Sequence, residues 1–321
     1  MARALYAFFA ALLFGAMGAA HAQSTYPDRR INLVVPFGPG GSTDVIGRLI
    51  AQALETQMGV SVVVQNQPGG GATIGAAFVS RAEPDGYTLL VGTPNQTINV
   101  SMADGLKFDF IKDFKPVSQV AESVSVLLVN KNVPEKTASA FIASARSNPG
   151  KFSYASSGVG STAHLTTELF KHEAGVDIVH VPYSGASKAM TDAVAGRVEM
   201  LFGFPAGAMS FIESKELIPL GVTSKTRLTE LPDIPTMAEI GLPAMNVVAW
   251  YGILAPANTP DPVVAKLNAE IAKAVEGLAT RFAEIGVRGV SSSPAEFKAF
   301  LEDDVERWAT AVKFSNAKAS K

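Results

Sequence analysis

Short β-branched runs alternate with amphipathic helical stretches along nearly the whole chain, and the alternation starts over about halfway. Such a pattern restricts the fold to a mostly parallel α/β class, because parallel strands need crossover helices that bury an apolar stripe on the sheet. Residues 31–36 read as the first strand. The turn Phe37-Gly38-Pro39-Gly40-Gly41 follows, and a helix starting near Ser42 carries Ile46, Leu49, Ile50, Ala53 and Leu54 at helical spacing. Further strands are expected at 60–65, 87–92 and 124–130, with helices at 72–81 and at 135–146 behind Pro134. The second round holds strands at 151–155, 177–181, 198–204 and 218–223, with helices from Ser161 and over 186–196. An apolar run at 247–254 leads into a helical C-terminus, where Thr259 is expected to cap one helix. Ser293 and Glu296 are expected to form a capping box on another.

The two rounds share a feature. Gly41-Ser42-Thr43 and Gly160-Ser161-Thr162 each follow a strand and a glycine turn and each open a helix. The first turn of a helix has backbone N–H groups without intrahelical partners and concentrates partial positive charge. Glycine lets a ligand oxygen approach the backbone, and the hydroxyls add donors, so each loop can hold an anion without Lys or Arg. Either loop alone reads more simply as an ordinary helix cap. Their recurrence at matching points of two halves favours a pair of receptors across a cleft.

The N-terminus carries Arg3, an apolar run over residues 4–14 and the ending Ala20-His21-Ala22, the pattern of a secretory signal peptide at 1–22 cleaved after Ala22. Loss of Arg3 leaves 26 basic against 29 acidic residues, a net charge of −3. This balance argues against a nucleic-acid partner, which needs clustered Lys and Arg. The chain has no cysteine, so no lipid anchor on a cysteine is possible, and no later stretch is apolar for long enough to span a bilayer.

Enzyme signatures are weak. Gly158-Val159-Gly160-Ser161-Thr162-Ala163 fits a dinucleotide fingerprint, yet the next strand ends Val181-Pro182-Tyr183 without the acid that would hold a ribose. Walker A and nucleophile-elbow sequences are absent, and His164, His172 and His180 lack metal-ligand spacing. No cofactor or metal is expected. Asp44 could serve as a base, but beside a helix N-terminus it is more simply an acid that satisfies backbone donors.

The motifs Tyr26-Pro27-Asp28-Arg29-Arg30-Ile31 and Val34-Val35-Pro36-Phe37-Gly38-Pro39-Gly40-Gly41-Ser42-Thr43-Asp44 resemble the Bug family, the TctC-like extracytoplasmic receptors of tripartite tricarboxylate transporters. Asn66-Gln67-Pro68-Gly69-Gly70-Gly71, Pro84-Asp85-Gly86-Tyr87 and Trp250-Tyr251-Gly252-Ile253-Leu254-Ala255-Pro256 continue the likeness, as does Ser156-Ser157-Gly158-Val159-Gly160-Ser161-Thr162-Ala163-His164-Leu165. The resemblance implies a type II periplasmic-binding-protein (Venus-flytrap) fold with two α/β lobes joined by crossovers near 124–130 and 247–254. Lobe 1 would hold residues 23–126 with 248–321, and lobe 2 residues 127–247. It further implies a monomeric periplasmic receptor that does no chemistry and delivers a small carboxylate to membrane permease subunits. An orphan sensor docking on a histidine kinase is the alternative.

The resemblance puts the ligand contacts in the loops, at Phe37, Gly38, Gly40, Gly41, Ser42, Thr43 and Asp44 and at Ser156, Ser157, Gly160, Ser161, Thr162 and His164. Thr93 and Asn95 after the third strand, with Tyr183 and Phe204 in the second half, complete the candidate set. Phe202 and Phe204 share one face of a strand, where they either line the cleft or pack in the core. A flat apolar middle would suit a dicarboxylate or aromatic acid better than an amino acid, for whose ammonium Asp44 is the one acidic candidate in the two loops.

Overall fold

The computed structural model describes residues 26–102, 105–183 and 186–315. The expected signal segment lies outside them. The first part of the chain runs β1 (Ile31–Val35), α1 (Ser42–Met58), β2 (Val62–Asn66), α2 (Thr73–Val79), β3 (Thr88–Gly92) and α3 (Pro94–Met102), then the long β4 (Phe114–Val124). The middle part holds β5 (Val126–Asn130), α4 (Ala138–Ser147), β6 (Ser153–Ser156), α5 (Thr162–Ala174), β7 (Val179–Pro182), α6 (Ala186–Val194), β8 (Met200–Gly203), α7 (Pro205–Glu213) and β9 (Leu217–Val222). It closes with β10 (Val248–Pro256), α8 (Asp261–Gly277), α9 (Ala279–Glu284), β11 (Arg288–Gly289) and α10 (Pro294–Ser315).

Two sheets result, one ordered β11-β4-β10-β3-β1-β2 and the other β7-β6-β8-β5-β9. Side-chain alternation explains why each is covered on both faces. In the first sheet Leu33, Leu89 and Ile253 point to a core with Ile46 and Ile50 of α1 and Leu267 of α8. Their neighbours Val34, Leu90 and Leu254 point the other way, onto Val79 of α2 and Phe297 and Leu301 of α10. In the second sheet Leu127, Val129 and Phe202 join a core with Phe141 of α4 and Phe170 of α5. Val126, Leu128 and Leu201 face Ala189 of α6 and Ala208 of α7. A strand buried on both faces reads as continuous apolar sequence, as β5 and β10 do.

The chain passes between the sheets at Ser125 and again at Val247, and one residue joins the two crossings. The buried Thr223 hydroxyl accepts the Ser125 amide at 3.0 Å and donates to the Val247 carbonyl at 2.6 Å. Its backbone completes the staple, with Thr223 N on Ser125 O at 3.0 Å and Val247 N on Thr223 O at 3.2 Å.

Several sequence expectations shift. Thr137 caps α4, so that helix starts at Ala138 and not at Glu135. Thr259 caps nothing; its hydroxyl donates to the Pro256 carbonyl, and Pro260 occupies the cap position of α8. Phe202 is buried against Phe170, whereas Phe204 lies beyond the strand end as the half-exposed residue before α7. The capping box forms: the Ser293 amide and hydroxyl both donate to Glu296 Oε2 at 2.8 Å.

Candidate functional site

In the first sheet β1, β2 and β3 are parallel, and in the second β6, β7 and β8 are parallel. The loops that follow these strands therefore cluster at the carboxyl edges, where open α/β sheets bind ligands. The loop after β1 is closed by Asp44. Its Oδ2 accepts the Gly40 amide at 2.9 Å and Arg48 Nε at 2.9 Å, and its Oδ1 accepts Asn66 Nδ2 at 2.8 Å. Asn66 Nδ2 also reaches the Phe37 carbonyl at 3.0 Å. Arg48, foremost through its hydrogen bond, holds the Asp44 carboxyl at about 2, with Gly40 and Asn66 assisting against burial. The carboxylate is thus ionised and fully engaged.

The loop after β6 uses the same device with different chemistry. The Gly160 amide donates to Nδ1 of the buried His164 at 3.0 Å, and Ser161 Oγ accepts the His164 amide at 3.2 Å. His164 stacks on His180 with ring centroids 4.2 Å apart, and His180 on Tyr154 at 4.6 Å. His180 Nε2 sits 2.7 Å from the buried Ser156 hydroxyl, which accepts the Gly158 amide at 3.2 Å. Burial, then the neighbouring His164 and Lys171, pull His180 down to about 4; burial also lowers His164. Both rings are neutral at neutral pH, which leaves Nδ1 of His164 able to accept.

Superposed by their helix caps, the loops pair Gly40 with Gly160, Gly41 with Ser161 and Asp44 with His164. The Gly-Ser-Thr match in the sequence is therefore out of structural register by one residue. Gly40 and Gly160 both adopt left-handed backbone, φ 84° and 76°, which turns the amide back onto the side chain four residues on. The helical ladders begin with Val45 N on Gly41 O and Leu165 N on Ser161 O, each at 3.0 Å. Amides earlier in each first turn precede the ladder and suit an anion.

A cavity of about 1290 Å³ opens beside the second loop. Of the candidate residues, Asn95, Gly160 and Ser161 line it, whereas the 37–44 loop does not. The segments that follow β2 and β3 of the first sheet provide much of the wall through Gly70, Gly71, Ile74, Phe78, Asn99 and Met102. A Cβ on Gly160 would lie 2.7 Å from Met102 Cε, so the second loop meets α3 across the junction between the sheets. Thr93 is buried and donates its hydroxyl to Gln96 Oε1 at 3.1 Å. The Tyr183 hydroxyl donates to Asp192 Oδ2 at 2.9 Å, Thr43 is buried, and Gly38, Gly41 and Ser42 are exposed. Ser157 and Thr162 are half-buried.

The sequence marked Asp44 as an acid satisfying backbone donors, but its partners Arg48 and Asn66, the His164 brace and most of this wall went unread. Asp44 and Arg48 stand at i,i+4 spacing, a legible pairing signal, and Asn66 and Gly70 lay in a quoted motif without an assigned role. His180 carries no local signal, since its partner Ser156 is set by strand pairing between β6 and β7.

Residues 46–316 match the Tripartite tricarboxylate transporter family receptor (TctC) family. The chain belongs to it. Protein BugT of Bordetella pertussis is 35% identical over 298 residues, covering 92% of this chain and 91% of that protein. The structure of R. palustris Rpa4515 with adipate superposes with a TM-score of 0.75 at 34% identity, covering 91% and 99%. MatC from Rhodopseudomonas palustris with bound malate gives 0.72 at 31% identity, covering 89% and 100%. TctC proteins are periplasmic solute-binding receptors and not enzymes, with the two-lobed fold seen here. No helix among the described residues is long and apolar enough to cross a membrane.

Proposed function

We propose that this TctC receptor captures a small dicarboxylate or aromatic carboxylate between its lobes and delivers it to the membrane subunits of a tripartite tricarboxylate transporter. The lobes are residues 23–126 with 248–321 and residues 127–247, and the receptor acts as a periplasmic monomer released by cleavage after Ala22. The observation that carries the reading is the pair of braced glycine loops, each presenting uncommitted first-turn amides. Adipate and malate in two relatives support the ligand class. Gly160, Ser161, Thr162, Gly41, Ser42 and Asn95 are the assigned contacts, while Asp44, His164 and Ser156 keep the loops in shape. With its carboxylate already engaged by three donors, Asp44 offers little to an ammonium, which disfavours zwitterionic amino acids.

A thermal-shift panel of carboxylates on the purified protein tests this. A ligand at one hundred times its Kd adds about 2.7 kcal/mol of stability. Dicarboxylates or aromatic acids should raise the melting temperature; a response to amino acids alone would show the ligand class to be wrong.

A further inference from the structure

The cavity beside the second loop has a second end that the proposed anion loops leave unused. Two helices present matching faces to it. From α2 and its continuation come Ile74, Ala77, Phe78 and Arg81, and from α3 come Asn95, Ile98, Asn99 and Met102, each set at i, i+3, i+4 and i+7. The groove between them is apolar in the middle. Ile74 is 56% exposed, Phe78 46% and Val159 on the lobe 2 side 53%, so large apolar side chains that a folded protein would ordinarily bury gather on one cavity. Asn99 Nδ2 fixes the glycine rim by donating to the Gly71 carbonyl at 2.7 Å.

Charge enters at one place on these walls. Arg81 follows α2, Lys107 lies in the segment after α3, and the Arg81 guanidinium reaches toward the Lys107 carbonyl at 3.5 Å. Among the described residues no carboxylate faces the groove from α2, α3 or the segment after α3. Seven residues separate Ile74 from Arg81, about 10 Å of helical rise. A groove with anion-binding amides near Gly160 and Ser161, an apolar middle and two cations beyond it matches a molecule of the same pattern.

We infer that Arg81 and Lys107 form a distal subsite for the second carboxylate of a long, apolar-chained α,ω-dicarboxylate, whose methylene chain lies on Ile74, Phe78 and Met102. The inference rests on the carboxylate-receptor reading and narrows it. Arg81 sets the preference because its planar fork can pair with a carboxylate through two parallel hydrogen bonds. Lys107 adds a point charge.

Isothermal titration with three acids tests the subsite: suberate, octanoate as the mono-acid of equal length, and succinate as the short di-acid. Suberate should bind most tightly. Arg81→Gln should weaken suberate about ten- to hundredfold, the size of one hydrogen bond to a charged group, and bring it to the level of octanoate. Octanoate affinity should stay unchanged in that variant, which also shows it folded, and Arg81→Lys should recover part of the loss. If Arg81→Gln and Lys107→Gln both leave suberate unchanged while Ser161→Ala weakens it, the distal subsite is wrong and the receptor reading stands. If none of the acids binds the wild-type protein, the distal subsite falls, and the response to the thermal-shift panel, aromatic acids included, decides the receptor reading.

Discussion

At the scale of residues, the two loops show one backbone requirement met by two side chains. A left-handed glycine turns its amide inward, and something four residues on must accept it; in the first loop this is a carboxylate and in the second a neutral imidazole. The choice fixes separate pH ranges for the two braces. His180 falls from an ordinary value of 6.5 to about 4, so between these values the unfolded chain takes up the proton and the folded one resists it. Stability is therefore complete above about 6.5 and drains as the pH falls toward 4, with His164 acting in the same direction. Asp44 is lowered from 3.8 to about 2, so its contribution is present above 3.8 and is lost only below that. Calorimetry across pH should show the melting temperature declining from pH 6.5 downward well before carboxylates titrate, with a shallower decline in His180→Gln. A wild-type profile flat from pH 7 to pH 4.5 would remove this account of the second loop.

Among the elements, the crossings between sheets depend most on a single side chain. Thr223→Val keeps shape but leaves the Ser125 amide and the Val247 carbonyl without their side-chain partners in a buried place. Two such losses should reduce stability in chemical denaturation by about 2–4 kcal/mol, and Thr223→Ser should restore most of it. A Thr223→Val protein as stable as the wild type would mean that the crossings are held elsewhere. The crossovers near 124–130 and 247–254 were implied by the family resemblance, whereas Thr223 reads in the sequence as the last residue of an unremarkable strand. Strands and helices with a clean period were readable to within a few residues. The 11-residue β4 was not, because Lys115, Pro116, Gln119 and Glu122 break its alternation; it holds its place through antiparallel pairing with β10, far along the chain, from Val248 opposite Val124 to Pro256 opposite Phe114. Gly, Ser and Thr mark the loops in the sequence as candidate anion sites. Their register was not legible, because helix start positions are set by φ and ψ rather than by the triplet itself.

For the whole molecule, α10 decides how the lobes can move. Its first half packs through Phe297 and Leu301 with Trp250 and Leu254 of the first sheet. Its second half packs through Trp308 and Ala311 with Leu169 and Phe170 of the second lobe. Between them sits Asp304, fully buried, whose Oδ2 accepts the Thr97 hydroxyl at 2.7 Å, Trp250 Nε1 at 2.8 Å and Trp308 Nε1 at 3.0 Å. Arg307 binds the other oxygen at 3.1 Å, and burial raises the carboxyl above its ordinary value despite these donors. The lobes are thus tied in three places, at Ser125, Val247 and α10. Through Thr97 the α3 wall of the cavity is fastened to α10. Closure on ligand is expected to be a rotation of small extent, since Gly160 already meets Met102 of α3. Small-angle scattering should record a slightly smaller radius of gyration with a saturating dicarboxylate than without. An unchanged radius, with binding verified by titration in the same sample, would mean that the cleft is already shut and that ligand enters by local opening of its rim.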